Sequence, residues 1–202
     1  MVNTSRKPAG SRETAADPGD PTPLIARRVR EERRRREWSL DELARHAGVS
    51  KAMLSKLERG ESSPTAALLG RIGGALSLTL GQLLADAEAP RARLLRRDEQ
   101  ALWKDPRTGY LRRQVSPVSD LPMQMVEVEL PAGAEVAFPA SAYAFIRQLI
   151  WVLSGTLEFV EGATTHRLRP GDCLELGAPA DCVFRNPGRG ACRYVVVVAK
   201  RT

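Results

Sequence analysis

Lys51, Ala52, Ser55, Lys56 and Arg59 fall at spacings that share one side of a short helix. A Lys ammonium donates to the O6 and N7 edge of guanine, and an alanine methyl fits against a thymine methyl. Hydroxyl and guanidinium groups bond phosphate oxygens, which position a protein on a duplex without reading its sequence. Lys51 and Ala52 stand at the start of that helix, where base edges are met, and Lys56 follows on the same side. Ser39, Ser55, Arg59 and Ser63 suit phosphates, and Ser50 is placed at the helix N-terminus. These eight residues are the expected DNA contacts. No catalytic constellation accompanies them, for the chain has only two histidines, His46 and His166.

The stretch SLDELARHAGVSKAMLSKLERG, residues 39–60, supplies the elements that would hold these groups. Ser39 with Glu42 three residues on makes a capping box. Leu43, Ala44 and Ala47 form one apolar face, with Ala44 small enough for a second helix to cross closely. Gly48 stands where the first helix must stop in a left-handed conformation, and Val49 plugs the corner. Ser50 caps the second helix, whose Leu54 and Leu57 point inward. An ordinary αα-hairpin with a solvated basic face would share single features of this pattern but not their combined spacing.

The stretch resembles the phage-repressor-like helix-turn-helix family, also called the xenobiotic-response-element type, over about residues 24–84. LSKLERGESSPT matches that family's habit closely. The resemblance implies five short-linked helices, and a structural ion pair between an Arg of the first helix and the Glu ending the recognition helix, here Arg33 and Glu58. The Arg33–Arg36 block reads equally as a nucleic-acid contact or as a solvated helix face. Ser63-Pro64 is expected to open the fourth helix, running through Leu68, Leu69, Ile72 and Leu76. Gly73-Gly74 weakens that helix and predicts close packing. Thr79 with Gln82 caps a fifth helix ending near Asp86.

Charge agrees with a polyanion partner for the first half only. The net charge is +7 over 202 residues. The basic surplus lies in residues 24–60 and 87–113, whereas residues 115–202 are slightly acidic. No apolar run is long enough to span a bilayer. Residues 1–22 are expected to be a disordered tail, residues 23–86 the DNA-binding domain, and residues 87–113 a linker that becomes the first strand of a second domain. The three cysteines, Cys173, Cys182 and Cys192, fit a reducing cytoplasm better than a disulfide framework.

Residues 114–202 read as short strands between Gly and Pro turns, implying a sandwich or small barrel. WVLSGTLEFV, LRPGDCLEL and FRNPG, in this order, resemble the cupin family, a double-stranded β-helix barrel. Cupin enzymes hold a divalent metal through three His and one Glu. Gln148 stands where the Glu belongs, Cys182 where the third His belongs, and SAYAF (Ser141 to Phe145) where a His-x-His belongs. A neutral amide and a thiol do not replace that ligand set. No metal, cofactor or catalytic residue is therefore expected, and His166 is expected at the surface.

Tyr143, Gln148 and Cys182 become the expected contacts of a small neutral or zwitterionic effector. Alternation along residues 147–153 sends Gln148, Ile150 and Val152 inward and Leu149, Trp151 and Leu153 outward, where a second barrel would cover them. The combined expectation is a cytoplasmic, sequence-specific transcriptional regulator, a homodimer on a palindromic operator with a ligand-sensing barrel. The alternatives are a metal-dependent cupin enzyme with an appended DNA-binding domain, and a constitutive DNA-binding protein whose barrel only dimerises. A packed core without ligand and an oxidation-sensing thiol are further options.

Overall fold

The computed structural model describes residues 21–84, 93–119 and 121–201. Residues 1–20 of the expected tail and the end of the fifth helix near Asp86 lie outside them. Five helices come first: α1 (Thr22–Arg35), α2 (Leu40–Ala47), α3 (Lys51–Glu58), α4 (Ala66–Leu76) and α5 (Leu80–Leu84). Ten strands come next: β1 (Leu102–Lys104), β2 (Leu111–Gln114), β3 (Met123–Leu130), β4 (Glu135–Phe138), β5 (Ile146–Ser154), β6 (Leu157–Glu161), β7 (Thr164–Leu168), β8 (Cys173–Glu175), β9 (Cys182–Arg185) and β10 (Cys192–Lys200). A 3₁₀ turn at Ala140–Ala142 separates β4 from β5.

All strands pair antiparallel in two sheets, ordered β1-β2-β3-β10-β5-β8 and β4-β9-β6-β7. Their facing sides enclose Val126, Val128, Ile150, Val152, Phe159, Phe184, Tyr194 and Val196, as expected of a cupin-type barrel. The segment read as a linker holds the hairpin β1–β2, which extends the larger sheet through β3. β2 is the strand expected at the end of this segment, whereas β1 was not foreseen, a short strand at the sheet edge where one side is solvated.

The helices pack on the barrel through α4. A Cβ on Gly70 would lie 2.6 Å from the Phe138 ring and one on Gly74 2.5 Å from the Ser141 hydroxyl. These glycines let the helix backbone rest against β4 and the 3₁₀ turn. The expected close packing at Gly74 is therefore against the second domain. Ser141 is accordingly spent on this contact rather than placed inside the barrel.

The start of α4 differs from expectation. Its cap is Thr65, whose Oγ1 accepts the Leu68 N–H at 3.2 Å. Ser63 instead receives a hydrogen bond from the Thr22 hydroxyl at 3.2 Å. Asp105, 2% exposed at the β1–β2 turn, completes this end of the helix. Its Oδ2 accepts the Ala66 N–H at 2.6 Å, and its Oδ1 accepts those of Arg107 and Thr108 at 2.7 and 2.9 Å. One carboxylate thus ties the hairpin to an otherwise orphaned helix amide.

Candidate DNA interface and barrel cavity

The helix-turn-helix is locally self-determined. The Ser39 N–H donates to Glu42 Oε2 at 2.7 Å, and the Glu42 N–H donates to Ser39 Oγ at 3.2 Å. The Ser39 amide holds the Glu42 carboxyl below the usual carboxylate range. Gly48 takes φ 62°, and Ser50 Oγ accepts the Met53 N–H at 3.2 Å. Leu43, Ala44, Ala47, Leu54 and Leu57 are all buried. The hydroxyls of Ser39 and Ser50 spend only acceptor capacity on the caps, so each keeps a proton to donate.

The orientation of α3 is fixed from behind. Arg33 Nε and Nη2 donate to the two carboxylate oxygens of Glu58 at 2.7 and 2.8 Å, while Nη1 reaches the Trp38 carbonyl at 2.8 Å. Glu58 is buried, and its carboxylate pushes the Arg33 guanidinium pKa up. This is the expected ion pair. The rest of the arginine block is partly spent inside the molecule, with Arg35 and Arg36 both on Glu32. Those contacts favour the structural reading of Arg35 and Arg36 over a DNA-binding one.

Lys51, Ala52, Lys56 and Arg59 are exposed on α3 and at its end, with Ser55 half-buried. Two of them carry internal partners. Lys51 Nζ lies 2.7 Å from Asp41 Oδ2, and Arg59 pairs with Glu61 and with the Ser55 hydroxyl. Both ion pairs are solvent-exposed, so exchanging them for phosphates or base edges costs little. Met53 is exposed on the same helix. Ser63 is exposed beside α4 rather than capping it.

Inside the barrel, β5 has the expected register. Gln148, Ile150 and Val152 are buried, whereas Leu149 and Trp151 are exposed and Leu153 is half-buried. Tyr143 and Gln148 line a cavity together with Tyr110, Arg112, Ile146, Phe184, Tyr194, Val196 and Val198. Gly70, Leu78, Thr79 and Leu80 of the helical domain close its other side. The cavity therefore lies between the two domains, a position that no local motif could signal.

Cys182 is absent from that lining. Its Sγ donates to the Ala180 carbonyl at 3.3 Å behind the Tyr143 hydroxyl. It stands behind a lining residue and does not line the cavity itself. Burial pushes the Cys182 and Cys192 thiols up to about 11, so both stay protonated and poorly reactive near neutral pH. Burial also raises the Tyr143 hydroxyl well above its ordinary value, leaving it a donor. His166 departs from expectation. It is half-buried on the inner side of β7, stacked near Phe159 and 3.8 Å from Glu161. Among the described residues no three His, Cys, Asp or Glu side chains are grouped as a metal would require. No helix among the described residues is long and apolar enough to cross a membrane.

Comparison with known proteins agrees with both halves. Residues 29–83 match the model of the helix-turn-helix family. The chain is 26% identical over 171 residues to the HTH-type transcriptional regulator SutR of Escherichia coli (strain K12), covering 85% of this chain and 92% of that one. Over 66 residues it is 39% identical to the HTH-type transcriptional regulator SlrR of Bacillus subtilis (strain 168), covering 32% of this chain and 43% of SlrR. The crystal structure of an HTH_3 family transcriptional regulator from Vibrio cholerae superposes with a TM-score of 0.74 at 25% identity. That match covers 90% of this chain and 97% of the other.

Proposed function

We infer that this chain, a DNA-binding transcriptional regulator with a helix-turn-helix domain and a cupin-like barrel, binds a palindromic operator as a two-fold homodimer. We also infer that its barrel senses a small molecule. The presentation of Lys51, Ala52, Lys56 and Arg59 along an α3 that Arg33 and Glu58 hold from behind carries the DNA reading. A helix N-terminus so exposed enters a major groove, with Lys51 and Ala52 on base edges and Arg59 on phosphate. Ser39, Ser50, Ser55 and Ser63 add hydroxyl contacts to the backbone.

The dimer reading is supported by the outer face of the larger sheet. Met125, Val197 and Leu149 lie in one register row, beside a row of Glu127, Val195 and Trp151. Trp151 and Met123 are each 48% exposed. Covering this stripe with its own copy buries both sides and supplies two recognition helices. A regulator, rather than an enzyme, agrees with the names of its relatives.

A ligand between barrel and helices would bind one relative placement of the domains better than another and so bias DNA affinity. Light scattering on the intact chain at micromolar concentration should give the mass of two chains, and Trp151→Glu the mass of one. A monomeric wild type rules out the dimer. A thermal-shift screen of metabolites should find a ligand whose effect falls in Gln148→Leu. A screen with no hit leaves the barrel purely dimerising.

A further inference from the structure

The charged group lining the cavity is Arg112, on β2, with 7% of its surface exposed. Burying a guanidinium is costly unless a counter-charge and hydrogen bonds replace water. Buried charges elsewhere in the molecule have such partners. Glu58 has Arg33, Glu32 has three arginines, and Asp105 has three amides. Arg112 has no such counter-charge, and the partner it does have is neutral, the Tyr110 hydroxyl, which accepts a hydrogen bond from its guanidinium. Among the described residues no carboxylate lies within 4.0 Å of its guanidinium, although the neighbouring Arg113 pairs with Glu127.

The groups around Arg112 also point to one charge type. Tyr110, Tyr143 and Tyr194 all line the same cavity, and burial raises all three hydroxyls, keeping them neutral donors. Gln148 adds an amide that can donate. The remaining wall is Ile146, Phe138, Phe184, Val196, Val198 and the Leu78–Leu80 turn. One fixed cation, several neutral donors and an apolar wall suit a singly charged anion with a short apolar body. A planar carboxylate matches the two-pronged donor geometry of a guanidinium. A phosphate dianion would keep an uncompensated charge. The cavity measures about 60 Å³, enough for a fragment of about four to six non-hydrogen atoms.

We propose that the barrel binds a small organic monocarboxylate, whose carboxylate is held by Arg112 in the cavity closed by Thr79 and Leu80 of the helical domain. The proposal rests on the sensing role inferred for the barrel and adds the chemical class of the ligand. Gln148 and Tyr143 alone would suit a neutral molecule; Arg112 changes the charge that the site requires.

The test uses the full chain, wild type and Arg112→Met, in thermal-shift and calorimetric titrations. Ligands are straight-chain carboxylates of about two to six carbons, plain or bearing hydroxyl or amino groups, each beside its primary amide. At least one carboxylate should raise the melting temperature of the wild type while its amide does not. Arg112→Met should weaken that binding by more than about tenfold. The carboxylate–amide comparison on the wild type stands even if the variant folds poorly. Amides that bind as well as carboxylates, or carboxylates that bind Arg112→Met unchanged, overturn the anion assignment and leave sensing intact. Silence from every carboxylate overturns it too. If the broader metabolite screen then yields a neutral or cationic ligand, sensing survives, and if it yields none, both readings fall.

Discussion

Replacing Arg33 with Met should unfold the DNA-binding half far more readily than the loss of a surface charge would. The Arg33 and Glu58 side chains are only 13% and 6% exposed. They share two hydrogen bonds at 2.7 and 2.8 Å, and a third joins Arg33 to the Trp38 carbonyl. Removing the guanidinium strands the Glu58 carboxylate in the interior, since Arg30 reaches only its backbone carbonyl. Breaking a buried pair from one side costs roughly 3–5 kcal/mol. A domain of this size holds only about 5–15 kcal/mol in total, so the cost corresponds to a fall of roughly 12–40 °C in its melting temperature. Arg33→Met with Glu58→Leu should recover most of the loss, because an apolar pair of similar volume carries no stranded charge. Urea unfolding followed by circular dichroism at the helical minimum reads all three proteins. A single variant costing less than about 1 kcal/mol, or a double variant no better than the single, would refute the reasoning.

Asp105→Ala orphans one backbone amide at a buried helix end and two in the β1–β2 turn and should destabilise by about 2–4 kcal/mol, with amide exchange accelerating first at the start of α4 and in the β1–β2 turn. Arg193 holds the Glu127 carboxyl below its ordinary range, so this residue stabilises the fold above the unfolded pKa and loses that contribution as pH falls through the folded one. Acid titration of stability should therefore be shallower below about pH 4 in Glu127→Gln than in the wild type. On DNA, Arg59→Ala should weaken binding to all sequences and flatten the salt dependence by about one unit of slope, measured by fluorescence anisotropy across salt concentrations.

The parts of the fold that sequence revealed are those determined within a few residues. The Ser39 and Ser50 caps, the left-handed Gly48, the Thr79–Gln82 box and the alternation along β5 all follow from local backbone needs. The Arg33–Glu58 pair came from the family resemblance and spans 25 positions. What escaped depends on contacts between domains. Ser63 and Thr65 are both competent caps, and the choice between them is tied to Asp105, which reads only as a turn residue. Arg112 sits in a charged hairpin and looks solvated until β2 joins the sheet and turns it inward. Gln148 and Tyr143 were legible because the cupin pattern assigns inner positions. Cys182 was assigned by the same pattern, but its place behind Tyr143 depends on side-chain packing that no spacing records.

Sequence-specific recognition by α3 in a two-fold assembly is tested most directly by selecting from random duplex DNA with the full chain and with Lys51→Ala. The wild type should enrich an inverted repeat whose half-sites lie about one helical turn, or a whole number of turns, apart. Lys51→Ala should enrich the same repeat with one base pair in each half-site relaxed. An unenriched pool, a single asymmetric site, or an identical motif from the variant would contradict the account.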